Sequence, residues 1–245
     1  MNDPLSEFRL DGEVAVVTGG MSGLGAAVAA AFRAVGARVA NFDLVADGDD
    51  AYALDVSDET QVRAAFEKVV ARHGRVDVVF NNAGIAIRRP STELGVDDWN
   101  RVVAVNMTGV FLVAREAARH MIAGGRGGRI VNTASIMGLS GGGLYPNISY
   151  QATKGAVINM TRALAVEWAA QGIRVNAIAP TWVRTPLTRG ITENPDLVRR
   201  IEALTPLGRL AEPEEIVGAV LFLSSRASAM VTGHTLAVDG GFLAQ

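Results

Sequence analysis

The chain of 245 residues carries 23 basic and 25 acidic side chains, a formal charge of −2, 49% apolar residues and no cysteine. This balance gives no pull toward nucleic acid or an anionic membrane, and the lack of cysteine excludes disulfides and zinc–thiolate sites. The length suits one domain over 1–245; the opening MNDPLSEFRLDG lacks the basic and apolar runs of a signal peptide, and no uncharged apolar stretch reaches spanning length, so a cytoplasmic chain is expected.

In chain order, VAVVT (14–18) reads as a buried strand and 23–35 as an Ala-rich amphipathic helix. RVANF (38–42) is a strand, 58–72 a helix, DVVFN (77–81) a strand, 98–123 a helix and RIVNT (129–133) a strand. Helix 149–171, strand RVNAIA (174–179), helix 213–224 with Pro213 at its first position, and strand TLAVD (235–239) complete the series. GGRGGR (124–129) is only a loop, and no repeat or linker divides the chain. Such alternation implies a doubly wound α/β domain, a parallel sheet covered on both faces by right-handed crossovers. Ligands of such sheets bind beyond the carboxyl ends of the strands.

The first of those ends is Thr18-Gly-Gly-Met-Ser-Gly-Leu-Gly25, and the 27 glycines of the chain exceed an average usage of about 7%. A glycine-rich strand-to-helix turn lets backbone N–H groups approach a pyrophosphate at the positive end of a helix. Asp43 ends the second strand 18 positions after Gly25, where an acid can grip ribose hydroxyls. TGGMSGLG resembles the TGxxxGxG opening of the short-chain dehydrogenase/reductase family. Asn81-Asn-Ala-Gly84, Asn106, Ser135, Tyr150 with Lys154, Pro180-Thr-Trp-Val-Arg-Thr185 and Asp239-Gly-Gly-Phe242 extend the resemblance over nearly the whole chain.

The resemblance implies a mostly parallel, seven-stranded Rossmann-type sheet with helices on both faces, and a hydride transfer between nicotinamide and a secondary alcohol or ketone. It implies Asn106, Ser135, Tyr150 and Lys154 as catalytic residues. Cofactor contacts are implied at Gly19, Ser22, Gly23, Leu24, Gly25, Asp43, Asp55, Val56, Asn82, Ala83, Gly84, Tyr150, Lys154, Pro180, Val183 and Thr185. Asp55 or Ser57 serves equally well as a helix cap. A homotetramer pairing helices 98–123 and 149–171 is also implied.

Proton removal from the alcohol needs a base, and a free phenol near ~10 must fall about 3 units, roughly 4 kcal/mol, to act at neutral pH. One ammonium about 4 Å away at an effective dielectric near 20 supplies about that amount. Positions four apart share a helix face, so Lys154 can act on Tyr150. The only other lysine is Lys68. By the resemblance, Ser135 hydrogen-bonds the substrate oxygen and Asn106 holds a water that links Lys154 to solvent; taken alone, a serine after a strand usually caps or turns, and a helix asparagine usually satisfies backbone. His73, His120 and His234 lack metal-ligand spacing, and no metal is expected.

Asp43 repels a 2′-phosphate and no arginine follows it until Arg63, so NAD is expected over NADP. Only LVADGDDAYAL separates Asp43 from Asp55, where relatives commonly fit a helix, and Thr181 stands where the family usually has glycine. The substrate pocket is expected from GLSGGGLYPNIS, from Arg88 and Arg89 and from 181–203, with Arg88, Leu139, Tyr145, Asn147 and Trp182 mixing apolar walls and polar handles. This suits a small polyol, sugar or hydroxy compound; Arg88 or Arg89 could read an acidic group. A 3-oxoacyl-thioester reductase and a non-catalytic nucleotide-binding scaffold are the competing readings.

Overall fold

The structure, a computed structural model, describes residues 4–142 and 144–245. The first three residues of the N-terminal stretch and Gly143 of the expected pocket segment lie outside them. Seven strands form one sheet: β1 (Val14–Thr18), β2 (Arg38–Asp43), β3 (Ala51–Ala53), β4 (Val78–Asn81), β5 (Gly128–Thr133), β6 (Ile173–Pro180) and β7 (Thr235–Val238). Their spatial order is 3-2-1-4-5-6-7 and every pairing is parallel. The order reverses between β1 and β4, the switch point at which such sheets bind ligands.

The helices are α1 (Gly23–Ala34), α2 (Glu59–His73), α3 (Val96–Val103), α4 (Val110–Gly124), α5 (Ile148–Trp168), α6 (Arg189–Thr192), α7 (Pro195–Leu204) and α8 (Pro213–Ser224). Alternate strand residues face opposite sides. Val14 and Val16 pack with Phe66 of α2, Ala117 of α4 and Leu164 of α5, whereas Ala15 and Val17 pack with Phe32 of α1 and Val220 of α8. Full burial of side chains such as Phe32 and Phe66 contributes roughly 1.5–3 kcal/mol each. A third cluster of Ile136, Met137, Leu144, Trp182, Ile191, Ile201 and Leu210 roofs the carboxyl end of the sheet beside β6.

Three elements depart from the sequence reading. The short segment after Asp43 holds an edge strand, β3, paired with β2 through Asn41–Ala51 and Asp43–Ala53. The helix expected over 98–123 is two helices joined by a widened π turn, Ala104–Gly109, that carries Asn106. Helices α6 and α7 lie in a segment read only as pocket wall. Asn194 caps α7 by accepting from Asp196 N at 3.0 Å and Leu197 N at 3.2 Å, and Pro195 opens it. The Asn-Pro-Asp signature is the signal that marks this helix in the sequence.

Candidate active site

The site begins where β1 enters α1. Gly19 and Gly23 have φ of +63° and +50°, a backbone that side chains rarely adopt. A Cβ on Gly25 would lie 1.9 Å from the Gly19 carbonyl oxygen, so only glycine lets α1 pack on its own entry turn. Ser22 occupies the N-cap in an extended conformation, yet its side chain makes no capping bond. The amino end of α1 and the Ser22 hydroxyl are therefore available to an anion. Thr18, whose role the sequence reading did not assign, stitches this turn to β4: its hydroxyl accepts from Asn82 N at 2.8 Å and Ala83 N at 2.9 Å.

From this turn a cleft of about 310 Å³ runs across the switch point. It brings together Gly19, Ser22, Gly23, Leu24, Asn82, Ala83, Gly84, Ser135, Tyr150, Lys154, Pro180, Val183 and Thr185, all expected from sequence. Thr133, Ala134, Thr181, Pro186, Leu187 and Thr188 also line it. Gly25, Asp43, Asp55, Val56 and Asn106 stand off its wall. Asp43 ends β2, where its carboxylate accepts from Met21 N at 3.1 Å and Leu44 N at 2.8 Å, one bond on each oxygen. Each oxygen keeps a lone pair for a further donor. Arg38 starts β2, five residues and roughly 16 Å from Asp43.

Asp55 is used locally, accepting from Ser57 N at 2.8 Å and Ser57 Oγ at 2.7 Å, while the cap of α2 is Asp58. The Val56 side chain is buried in the core. Both bonds fall on Asp55 Oδ1. The short path from β3 into α2 ties the Asp55 carboxylate into a turn and sends Val56 inward.

Ser135, Tyr150 and Lys154 converge because α5 crosses closely over the turn after β5. A Cβ on Gly138 would sit 2.6 Å from the Lys154 carbonyl carbon, so this glycine sets the approach. The Ser135 hydroxyl accepts from Met137 N at 3.1 Å, the capping role of such serines, and keeps its own proton for a substrate oxygen. Lys154 is buried and its Nζ donates to the Thr133 carbonyl at 2.6 Å. Burial holds this amine down at about 8. Its Nζ lies 5.4 Å from the centre of the Tyr150 ring. Burial pushes the Tyr150 phenol up to about 12, the Ser135 hydroxyl pulls against that shift, Tyr145 adds to it and the Arg88 guanidinium opposes it. In the cofactor-free chain the phenol is therefore protonated at neutral pH, burial outweighing the Ser135 hydroxyl and the Arg88 guanidinium.

Asn106 is fully buried on the π turn. Its Oδ1 accepts from Ile85 N and its Nδ2 donates to Ile85 O, both at 2.8 Å. This pair fastens the strand-end segment after Gly84 to the helix. A Cβ on Gly84 would lie 3.3 Å from Asn106 Oδ1 and 3.7 Å from Lys154 Nζ, so the glycine keeps a gap between them.

Beside Ser135 and Tyr150 opens a recess of about 40 Å³ that includes Arg88, Tyr145, Asn147 and Trp182. The Trp182 indole donates to Tyr145 OH at 2.8 Å, and Arg88 stacks on the Tyr145 ring at 5.5 Å while donating to Leu187 O at 3.2 Å. Leu139 is not part of this wall; it is 44% exposed, turned outward by the short turn that follows Ser135. Arg89 also turns away, to Asp98 at 3.3 Å.

A family model described as "Enoyl-(Acyl carrier protein) reductase" matches residues 19–243. D-threitol dehydrogenase of Mycolicibacterium smegmatis is 40% identical over 96% of this chain and 95% of its own length. Galactitol 2-dehydrogenase (L-tagatose-forming) of Cereibacter sphaeroides is 42% identical over 96% of both. The crystal structure of a gluconate 5-dehydrogenase from Burkholderia cenocepacia in complex with NADP and tartrate superposes with a TM-score of 0.94 at 35% identity, covering 99% of this chain and 100% of that one.

Proposed function

From the premise that the chain belongs to the short-chain dehydrogenase/reductase family, and is an oxidoreductase acting on CH–OH, we propose an NAD-dependent dehydrogenase of small polyols or sugars. The observation that carries this reading is the convergence of Ser135, Tyr150 and Lys154 on a cleft that starts at the glycine turn and ends at a small polar recess. The chemistry supplied by a bound nicotinamide is hydride exchange at the carbinol carbon.

The chain's own residues then have distinct work. The open amino end of α1 and Ser22 take the pyrophosphate, and Asp43 accepts ribose hydroxyls on its free lone pairs. Ser135 donates to the reacting oxygen, and Tyr150 Oη removes its proton in oxidation and returns it in reduction. Lys154, with one proton on Thr133, offers its others toward the cleft. Both Asn106 side-chain ends are held by Ile85, so a proton path from Lys154 uses the gap beside Gly84.

Preference for NAD rests on charge. Asp43 is followed by Asp47, Asp49 and Asp50 and no basic residue before Arg63, which is paired with Glu59. A 2′-phosphate placed there meets the Asp43 carboxylate, and Arg72, the cation at Asp50, is already paired with that acid at 2.7 Å. The recess of about 40 Å³ favours a small substrate over an acyl thioester. Exposed Phe111 and Ile122 on α4 and Val166 on α5 support a homotetramer, drawing on the cytoplasmic cofactor pool.

Initial rates with NAD and NADP over polyols, sugars, sugar acids and acyl thioesters test this reading, with Tyr150→Phe as control. The variant is expected to bind cofactor and turn over at least ~10²-fold more slowly. Wild-type turnover by Tyr150→Phe would remove the phenol from the mechanism, and sedimentation decides the assembly.

A further inference from the structure

A second pocket, of about 210 Å³, lies behind the substrate recess, walled by Leu207, Leu210, Ile216 and Val238. Arg209 and Glu215 at its side pair with each other through two contacts of 2.6 Å, and the Asp239 carboxylate at its rim accepts from Gly241 N and Leu243 N at 2.9 Å. This space is apolar enough for an alkyl chain and much larger than the recess at Ser135 and Tyr150. One residue borders the cofactor cleft, the substrate recess and this pocket: Thr181, and no other residue lining any of the three is shared by all.

Thr181 follows β6 directly and its N–H donates to the Val238 carbonyl at 3.1 Å, which fixes its backbone against β7. Its Oγ1 is buried and has no hydrogen-bond partner. A hydroxyl left unpaired adds no polar attachment to the wall; what the side chain contributes at this junction is bulk. Trp182 beside it is buried, held by Tyr145 and set edge-on to Phe242 at 5.3 Å, so the neighbouring wall cannot swing away to compensate.

We propose that Thr181 is a partition that sets the length of substrate the enzyme accepts, closing the recess at Tyr150 from the apolar pocket behind it. The inference rests on the hydride-transfer reading above. With threonine the site takes short compounds; with glycine the two spaces join and longer secondary alcohols fit.

The test compares wild type, Thr181→Gly, Thr181→Ala and Thr181→Val on secondary alkanols of four, six and eight carbons, at saturating NAD. Thr181→Gly is expected to raise the eight-carbon to four-carbon ratio of kcat/KM at least about 10-fold. Thr181→Ala gains part of this and covers the case in which glycine loosens the strand end. Thr181→Val, equal in shape, keeps the wild-type cut-off. Coincident chain-length profiles for wild type, Thr181→Gly and Thr181→Ala would overturn the partition alone, as would a flattened profile in Thr181→Val. A wild-type protein that turns over no alcohol or ketone with either dinucleotide would overturn the proposed function, and the partition with it.

Discussion

The Nζ of Lys154 donates to the main-chain carbonyl of Thr133 at 2.6 Å, tying the middle of the long helix α5 to the last residue of β5. The bond satisfies one proton of a buried amine, and burial lowers its pKa from 10.5 to about 8. Between those values the unfolded chain binds more protons than the folded one. Stability contributed by this residue therefore rises with pH through that window and falls as pH drops toward 8. Urea unfolding of the cofactor-free protein at several pH values, for wild type and Lys154→Met, is expected to show this rise only in the wild type. Parallel curves would mean that Lys154 carries no buried charge.

Tyr150 moves the opposite way, from 10 to about 12 in the protein alone. Below its folded value the phenol is protonated, the form that donates in carbonyl reduction, whereas alcohol oxidation needs the phenolate. The oxidation rate is expected to climb with pH from neutrality, by up to about 10-fold per unit until a plateau, and reduction to fall at the alkaline end. Steady-state kcat/KM in both directions measures it. An oxidation profile flat across neutral and alkaline pH would assign the proton to another group.

Asp43 accepts from Met21 N on one oxygen and from Leu44 N on the other, so an asparagine keeps one of these bonds and turns its NH2 toward the other donor. Asp43→Asn is expected to lower kcat/KM with NAD and raise the NADP-to-NAD ratio about 10-fold or more, because repulsion of the 2′-phosphate is removed while one donor–acceptor pattern is lost. Unchanged ratios would place cofactor choice elsewhere.

Gly138 faces the backbone of Lys154 so closely that a methyl group would penetrate to 2.6 Å of its carbonyl carbon. Gly138→Ala is expected to cost about 1–3 kcal/mol of stability and to shift α5 away from the Ser135 turn. Turnover then falls more than thermal stability alone explains at assay temperature, whereas Gly95→Ala, with nothing within 4 Å, leaves both near wild type.

The parallel strands, the glycine turn and the pairing of Tyr150 with Lys154 were legible because each rests on local pattern: β-branched runs, glycine spacing, and an i, i+4 pair on one helix; Ser135 came only from the family resemblance. The break at Ala104–Gly109 was not. A π turn inserts one residue without any proline, and VAVNMTGVF reads as continuous helix despite its polar Asn106 and Thr108. Its anchor, the double bond between Asn106 and Ile85, joins positions 21 apart and has no local signature. The local settings of Val56 and Asp55 were not legible for a related reason. Their surroundings depend on β3, and a three-residue strand following an acidic loop has too few side chains to alternate.

That strand also bears on how the protein behaves at high concentration. A parallel sheet ending in a full-length bare margin presents a row of unmatched amides and carbonyls on which another copy can stack. At the β3 edge the outermost strand is only Ala51–Ala53, matched to Asn41–Asp43 of β2, preceded by Asp47 and Asp49 and followed by Asp55. So short a template gives an identical copy little to register against, and its acids repel one another.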